Sequence, residues 1–170
     1  MNKIDVCPQQ IISFDAPNDI TNDALNNVLN EEWQQNNNPN NYYTNDTFLN
    51  KRDEYKYLIK WFDDCLYQIQ RDKRYEFHGK FSITQCWANK TTTGGSHHIH
   101  NHPNSLISGI FYLTDSTPTI FSSNEMWNYL PLIQASNGGS TITRITPVKG
   151  RLVMFPSNLL HSTDKLNDDE

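Results

Sequence analysis

The sequence predicts an α+β domain in which helices from its first half buttress one face of an antiparallel β-roll built from its second half. Two patterns support this. Between Asp46 and Arg71, the residues Tyr55, Leu58, Phe62, Cys65 and Ile69 recur at spacings of three and four, which is one face of a helix. After Tyr75 the period changes to short alternating or β-branched runs divided by turn residues. A chain of 170 residues and 19.8 kDa is about one domain long. Such a domain buries roughly 70% of its unfolded surface without disulfide or metal staples. One domain is therefore expected, with residues 1–75 as mainly helical support and 76–170 as the β-roll core.

The elements follow in order. Asn18 and Asp19, after Pro17, can cap a first helix whose apolar residues Ala24, Leu25, Val28, Leu29 and Trp33 carry it towards Asn36. The tract Asn36-Asn37-Asn38-Pro39-Asn40-Asn41 has a helix-breaking proline and no apolar anchor, so it reads as an exposed loop of biased composition. The second helix spans 46–71, and the aromatic residues of its stripe read first as core. Strands are expected at 81–90, 107–113, 117–121, 141–145 and 151–155. They are divided by Gly94-Gly95, Pro103-Asn104, Asn137-Gly138-Gly139 and Lys149-Gly150. No internal repeat is visible.

Charge and composition exclude several classes of function. A net charge of −5 and a sequence pI near 5.6 give no long-range attraction to polyanions, which disfavours nucleic-acid and membrane-surface partners. Mean hydropathy is −0.72, yet 12% aromatic residues supply enough bulk for a packed core. Cys7, Cys65 and Cys86 are odd in number and far apart, which offers neither a disulfide framework nor a zinc knuckle. Reduced thiols in the cytoplasm are expected. The amino terminus MNKIDVCPQQ lacks an apolar core, and no stretch approaches the ~20 apolar residues of a membrane span.

The strongest chemical signal is histidine. Four of the six histidines fall within Ser96-His97-His98-Ile99-His100-Asn101-His102-Pro103. On an extended strand His98, His100 and His102 share one side and His97 takes the other, and two imidazoles at i and i+2 can grip one ion. Imidazole suits iron, zinc, copper or nickel, whereas magnesium and calcium prefer oxygen donors. A distal histidine, His161, follows the turn and strand Gly150-Arg151-Leu152-Val153-Met154-Phe155-Pro156-Ser157, which can return the chain to the same pocket.

Three stretches taken together carry a family resemblance. They are Trp87-Ala88-Asn89, the run from His100-Asn101-His102-Pro103 to Ser108-Gly109-Ile110-Phe111-Tyr112-Leu113, and Pro147-Val148-Lys149-Gly150 through Pro156-Ser157 to His161. In this order they resemble the 2-oxoglutarate/iron(II) oxygenases common in phages and bacteria, well over residues ~80–170 and loosely over the helical half. The resemblance implies a double-stranded β-helix, or jelly-roll, with an iron(II) centre at one mouth and places for 2-oxoglutarate and dioxygen. It also implies oxidative decarboxylation of 2-oxoglutarate to succinate, coupled to hydroxylation of an organic substrate. His100 would be the first ligand and His161 the distal one. His102 stands where most relatives carry Asp or Glu, so three neutral imidazoles would leave the ion more positive than usual. The register His98-Ile99-His100 satisfies strand parity equally well; the count back from Ser108-Gly109 in the family pattern favours His100 and His102. His78, His97 and His98 are left as surface or supporting residues.

Tyr112 matches a tyrosine that hydrogen-bonds the distal carboxylate of 2-oxoglutarate in prolyl-hydroxylase-like relatives, and Asn89 belongs to the Trp-x-Asn that opens the family core, so both are assigned to the cosubstrate. The partner Arg of that family lies roughly ten residues past the distal histidine, and Glu170 comes first, which leads to the expectation of a C-terminally incomplete chain. Asp168-Asp169-Glu170 offers only like charge to a dicarboxylate. Lys149 and Arg151 are the nearby cations that could substitute. Two other classes of function stay open on sequence: a three-histidine cupin-type metalloprotein that does not use 2-oxoglutarate, and an inactive binding module. Substrate and oligomeric state are not written in the sequence.

Overall fold

The computed structural model describes residues 10–72, 79–122 and 142–167. Cys7, His78, the turn at 137–139 and the last three acidic residues lie outside them. In chain order the elements are β1 (Ile12–Asp15), α1 (Asn18–Leu29), β2 (Trp33–Gln35), β3 (Asn41–Thr44), α2 (Lys56–Gln70), β4 (Asn89–Thr91), β5 (Ile107–Phe111), β6 (Thr119–Ser122), β7 (Ile142–Ile145), β8 (Arg151–Pro156) and β9 (Leu160–Thr163). Two short 3₁₀ turns, Leu49–Lys51 and Asp53–Tyr55, precede α2.

The strands form three antiparallel sheets with orders β1-β8-β5, β2-β3-β4 and β7-β6-β9. The central strand β8 explains how the layers stack. Alternate residues of a strand point to opposite faces. Leu152 and Met154 pack against Cys65 and Ile69 of α2, while Val153 and Phe155 pack against Tyr112, Phe121 and Leu159. Helices therefore cover one face of the first sheet and β7-β6-β9 lies over the other. Phe121 and Phe155 meet edge to face across the interior with centroids 4.8 Å apart.

Helix α2 fulfils its stripe: Leu58, Cys65 and Ile69 are buried, as is Tyr55 just ahead of it, and Phe62 packs on the same core. It starts ten residues later than expected because Arg52 adopts an extended conformation (φ −98°, ψ 139°) between the two 3₁₀ turns. Helix α1 buries Thr21, Ala24 and Val28, whereas Leu29 is 68% exposed. Pro17 stands at its N-cap, and neither Asn18 nor Asp19 provides a side-chain cap. The helix stops at Leu29, well short of Asn36, because the Asn30 side chain bonds back to the Asn26 carbonyl (2.8 Å) and the chain turns. Trp33 thereby becomes the first residue of β2, opposite Thr44.

Of the expected strand at 81–90 only its end survives. Cys86 makes an isolated parallel bridge to Phe48, and β4 begins at Asn89. Strands β1, β2, β3 and β9 were not foreseen. At Gly150, φ is +85° and a Cβ would lie 3.0 Å from Thr21 Oγ1, so a turn residue without a side chain lets α1 approach the start of β8.

Candidate metal centre

Segment 97–102 runs antiparallel to β9 without making a regular ladder. His100 and His161 exchange both backbone bonds, N–H to carbonyl, at 3.0 and 2.9 Å. Two residues further on, the Thr163 N–H reaches the His97 carbonyl (3.1 Å), and the His97 N–H donates to Thr163 Oγ1 (2.8 Å). Three steps on one chain thus answer two on the other, which is a bulge. The bulge breaks the strand parity expected across His98 and His100, and His98 does not join the cluster. From His100 to His102 the alternation holds, fixed by a bond from the His102 N–H to the Ser157 carbonyl (2.9 Å).

His100, His102 and His161 converge. Each offers a ring nitrogen, and these atoms all lie within 4.8 Å of one another. Ring centroids are 4.2 Å apart for His100–His161, 5.0 Å for His102–His161 and 5.1 Å for His100–His102. Two nitrogens that share an ion at the usual 2.0–2.1 Å sit roughly 3–4 Å apart, so small ring rotations suffice to close on one. Carbonyls also fix the tautomers of two rings. A carbonyl only accepts, so His100 Nδ1 must donate to the His98 carbonyl (2.7 Å) and His161 Nδ1 to that of Leu159 (3.1 Å). The Nε2 lone pair of each is left for a ligand, the arrangement that orients metal-binding histidines.

Burial favours the neutral form of His161 and His102. His161 is 4% exposed between Phe155 (4.9 Å) and Phe121 (5.9 Å), and burial pushes its pKa down to about 4. Burial also lowers the pKa of His102 and of His97, and the neighbouring His100 lowers both further. Exposure falls from His100 through His102 to His161, so the site opens to solvent on the His100 side. Trp87 stands edge-on to His102 at 6.0 Å. A neutral three-imidazole donor set fits a first-row transition metal such as iron(II).

The asparagine tract is part of this wall. Asn41 opens β3 fully buried, where its Nδ2 donates to the Ser96 carbonyl (2.7 Å) and its Oδ1 accepts from Thr91 Oγ1 (2.8 Å). Asn38 donates to the same Ser96 carbonyl, and Asn40 to that of Thr93 (3.0 Å). These amides fasten the segment leading into the histidines. Sequence reading missed Asn41 and Ser157, whose Oγ lies 2.8 Å from Ser108 Oγ. The signal for Ser157 was its place in the Pro156-Ser157 motif; Asn41 was masked by its asparagine neighbours.

Tyr112 lies in the interior with its hydroxyl 2.8 Å from Thr119 Oγ1, packed on the same cluster as Phe121 and Phe155, which flank His161. Asn89 lines a depression that it shares with Tyr43 and Trp87. Neither candidate cation faces the interior. Arg151 is paired with Asp15 (2.8 Å) on β1, and Lys149 Nζ donates to Asn22 (3.1 Å) on α1.

Comparison with known proteins agrees with this geometry. Residues 85–170, half of the chain, match the model of a family described as "Putative 2OG-Fe(II) oxygenase". A comparison with curated proteins found no match. Among solved structures, HygX from Streptomyces hygroscopicus, with nickel, 2-oxoglutarate and hygromycin B bound, is similar at TM-score 0.69 and 11% identity over 94% of this chain and 78% of that one. An oxidoreductase of the 2OG-Fe(II) oxygenase family from Burkholderia pseudomallei gives 0.60 and 10% over 92% and 78%, and OsALKBH1 gives 0.56 and 11% over 96% and 89%. These likenesses show a mixed fold of helices and antiparallel sheets in common. On the strength of the matched half, the chain belongs to the 2OG-Fe(II) oxygenases, an oxidoreductase family whose metal is iron(II) and whose cosubstrate is 2-oxoglutarate.

Proposed function

We propose that the chain is an iron(II)/2-oxoglutarate-dependent hydroxylase acting on an organic substrate, with His100, His102 and His161 as the iron ligands. The convergence of these three rings carries the reading. The two stacked sheets, with the histidines at one mouth and helices over the outer face, support a double-stranded β-helix forming one domain over residues 1–170.

When bound, iron supplies the redox chemistry in which 2-oxoglutarate loses carbon dioxide, one oxygen atom of dioxygen enters succinate and the other enters a substrate C–H bond. The chain does the rest. His161 Nδ1 holds its proton on the Leu159 carbonyl and His100 Nδ1 on that of His98, so each ring presents Nε2 to the ion. Phe121 and Phe155 shut water away from the buried side of His161. Tyr112, paired with Thr119, is the hydroxyl donor suited to the distal carboxylate of 2-oxoglutarate. Burial raises the Tyr112 pKa, so it stays a donor. Asn89, which shares a depression with Trp87 beside His102, would serve on the substrate side of the centre.

The test is succinate release from 2-oxoglutarate under air by iron-loaded protein, alongside the weak visible absorption band that appears when 2-oxoglutarate joins bound iron anaerobically. Both are expected. Iron binding with neither would favour the cupin-type alternative and overturn this reading.

A further inference from the structure

The metal centre leaves the wall beside it unexplained. Two depressions open there and share Asn36. One, of about 270 Å³, includes Tyr43, Gln85, Trp87 and Asn89; the other, of about 370 Å³, includes Asn37, Asn38 and His100. Both adjoin the histidines, the first through the Trp87 ring against His102 and the second through His100 itself.

Backbone parity builds this wall. Gln85, Trp87 and Asn89 stand at every second residue of an extended segment and so share one side. Tyr43 is directly opposite Asn89 in the β3–β4 ladder. Aromatic faces therefore alternate with amides along one surface. The asparagine tract is divided in its duties. Asn38, Asn40 and Asn41 spend their amides on the carbonyls of Ser96 and Thr93. The side-chain amides of Asn36, Asn37, Gln85 and Asn89 make no hydrogen bond among the described residues and are free for a ligand.

Chemistry narrows what the ligand can be. Among the described residues no Lys, Arg, Asp or Glu lines either depression, and the second adds only the imidazoles of His97, His98 and His100, so a phosphate, carboxylate or ammonium would find no fixed counter-charge there. A purely apolar ligand would bury the amides unpaired, which opposes binding. A ring bearing several hydroxyls meets both demands: its hydroxyls donate to and accept from amides, and its C–H face lies on Trp87 or Tyr43. We infer that this wall is the substrate subsite and takes a neutral polyhydroxylated ligand, a saccharide or saccharide-like ring. The inference rests on the oxygenase reading for its link to chemistry, since the wall ends at His100 and His102.

The experiment is saturation-transfer NMR on the zinc-loaded chain with maltotriose and cellotriose, beside adenosine monophosphate and N-acetylprolinamide. A chelated sample runs in parallel, so that failure of the metal reading leaves saccharide binding measurable. Saturation transfer to the ring protons of at least one trisaccharide is expected in both samples. The double substitution Asn36→Ala with Gln85→Ala, at two exposed positions, should weaken it about tenfold, the loss of two ligand hydrogen bonds. Three results would each overturn the inference: no transfer to either trisaccharide, unchanged affinity in the double variant, or preferential binding of the nucleotide or the peptide amide.

Discussion

At the scale of single residues, the metal site depends on which imidazoles meet. His161→Ala removes the buried ligand and should abolish stoichiometric iron binding in an anaerobic titration, whereas His98→Ala, outside the cluster, should leave it within error of the parent. His102→Asp should keep iron, because it returns a carboxylate to the position where the family resemblance expects one. The burial of His161 also sets a pH dependence in the metal-free protein. Its folded pKa of about 4 lies below the roughly 6.5 of an unfolded chain, so the unfolded state binds more protons between those values. Stability from the neutral ring is full above about pH 6.5 and drains as pH falls towards 4. Urea midpoints measured from pH 7.5 to 4.5 should fall, and His161→Gln should flatten that part of the fall; an identical slope would show that this ring is not the group responsible. Tyr112→Phe should weaken 2-oxoglutarate about tenfold by calorimetry and spare iron, the loss of one hydrogen bond to a charged group.

At the scale of elements, the loop that delivers the histidines is held by a close backbone approach. A Cβ on Gly95 would lie 2.7 Å from the Asn40 carbonyl oxygen and 2.9 Å from that of Thr92. Gly95→Ala must therefore push apart the segments that Asn38 and Asn41 bind together at Ser96, and iron affinity should fall together with melting temperature, read by metal titration and calorimetry. This loop also marks where the sequence was legible and where it was not. Long periodic stripes were readable: Leu58, Cys65 and Ile69 declare the buried face of α2 by spacing alone, whereas Leu152, Val153, Met154 and Phe155 form an unbroken apolar run on β8 whose two faces only tertiary contacts separate. His100 and His102 stood out because imidazoles are scarce and four of the six are clustered, while His161, far along the chain, was reached through the strand that returns towards them and the family resemblance. Strands of three or four residues are too short to show a period, so β1 and β2 passed unnoticed, and Trp33 was drawn into the preceding helix. The bulge at 97–100 is a register event set by β9, far away in sequence, and no local pattern records it. Asn41 and Asn36 have the same side chain in the same tract, one buried as a clamp and one at the mouth, and only tertiary contacts separate them.

At the scale of the whole molecule, the two halves share their apolar clusters. Phe111 packs with Trp61 (5.6 Å) and Phe62 (5.5 Å) of α2, and β1 supplies the outer neighbour of β8. No helix among the described residues is long and apolar enough to cross a membrane. If the chain is one cooperative domain, residues 79–170 expressed alone should lack a sharp thermal transition, because Leu152 and Met154 would lose α2 and the β8 backbone would lose β1. A cooperative transition in that fragment would assign the helices to a separate unit. The central claim, that three histidines from two distant segments form one iron site serving 2-oxoglutarate, is tested most directly by anaerobic iron titration of the parent chain and His161→Ala, each followed by 2-oxoglutarate. About one iron per parent chain is expected, with a visible band on adding the cosubstrate, and neither in the variant. Equal iron stoichiometry in the two proteins would contradict it.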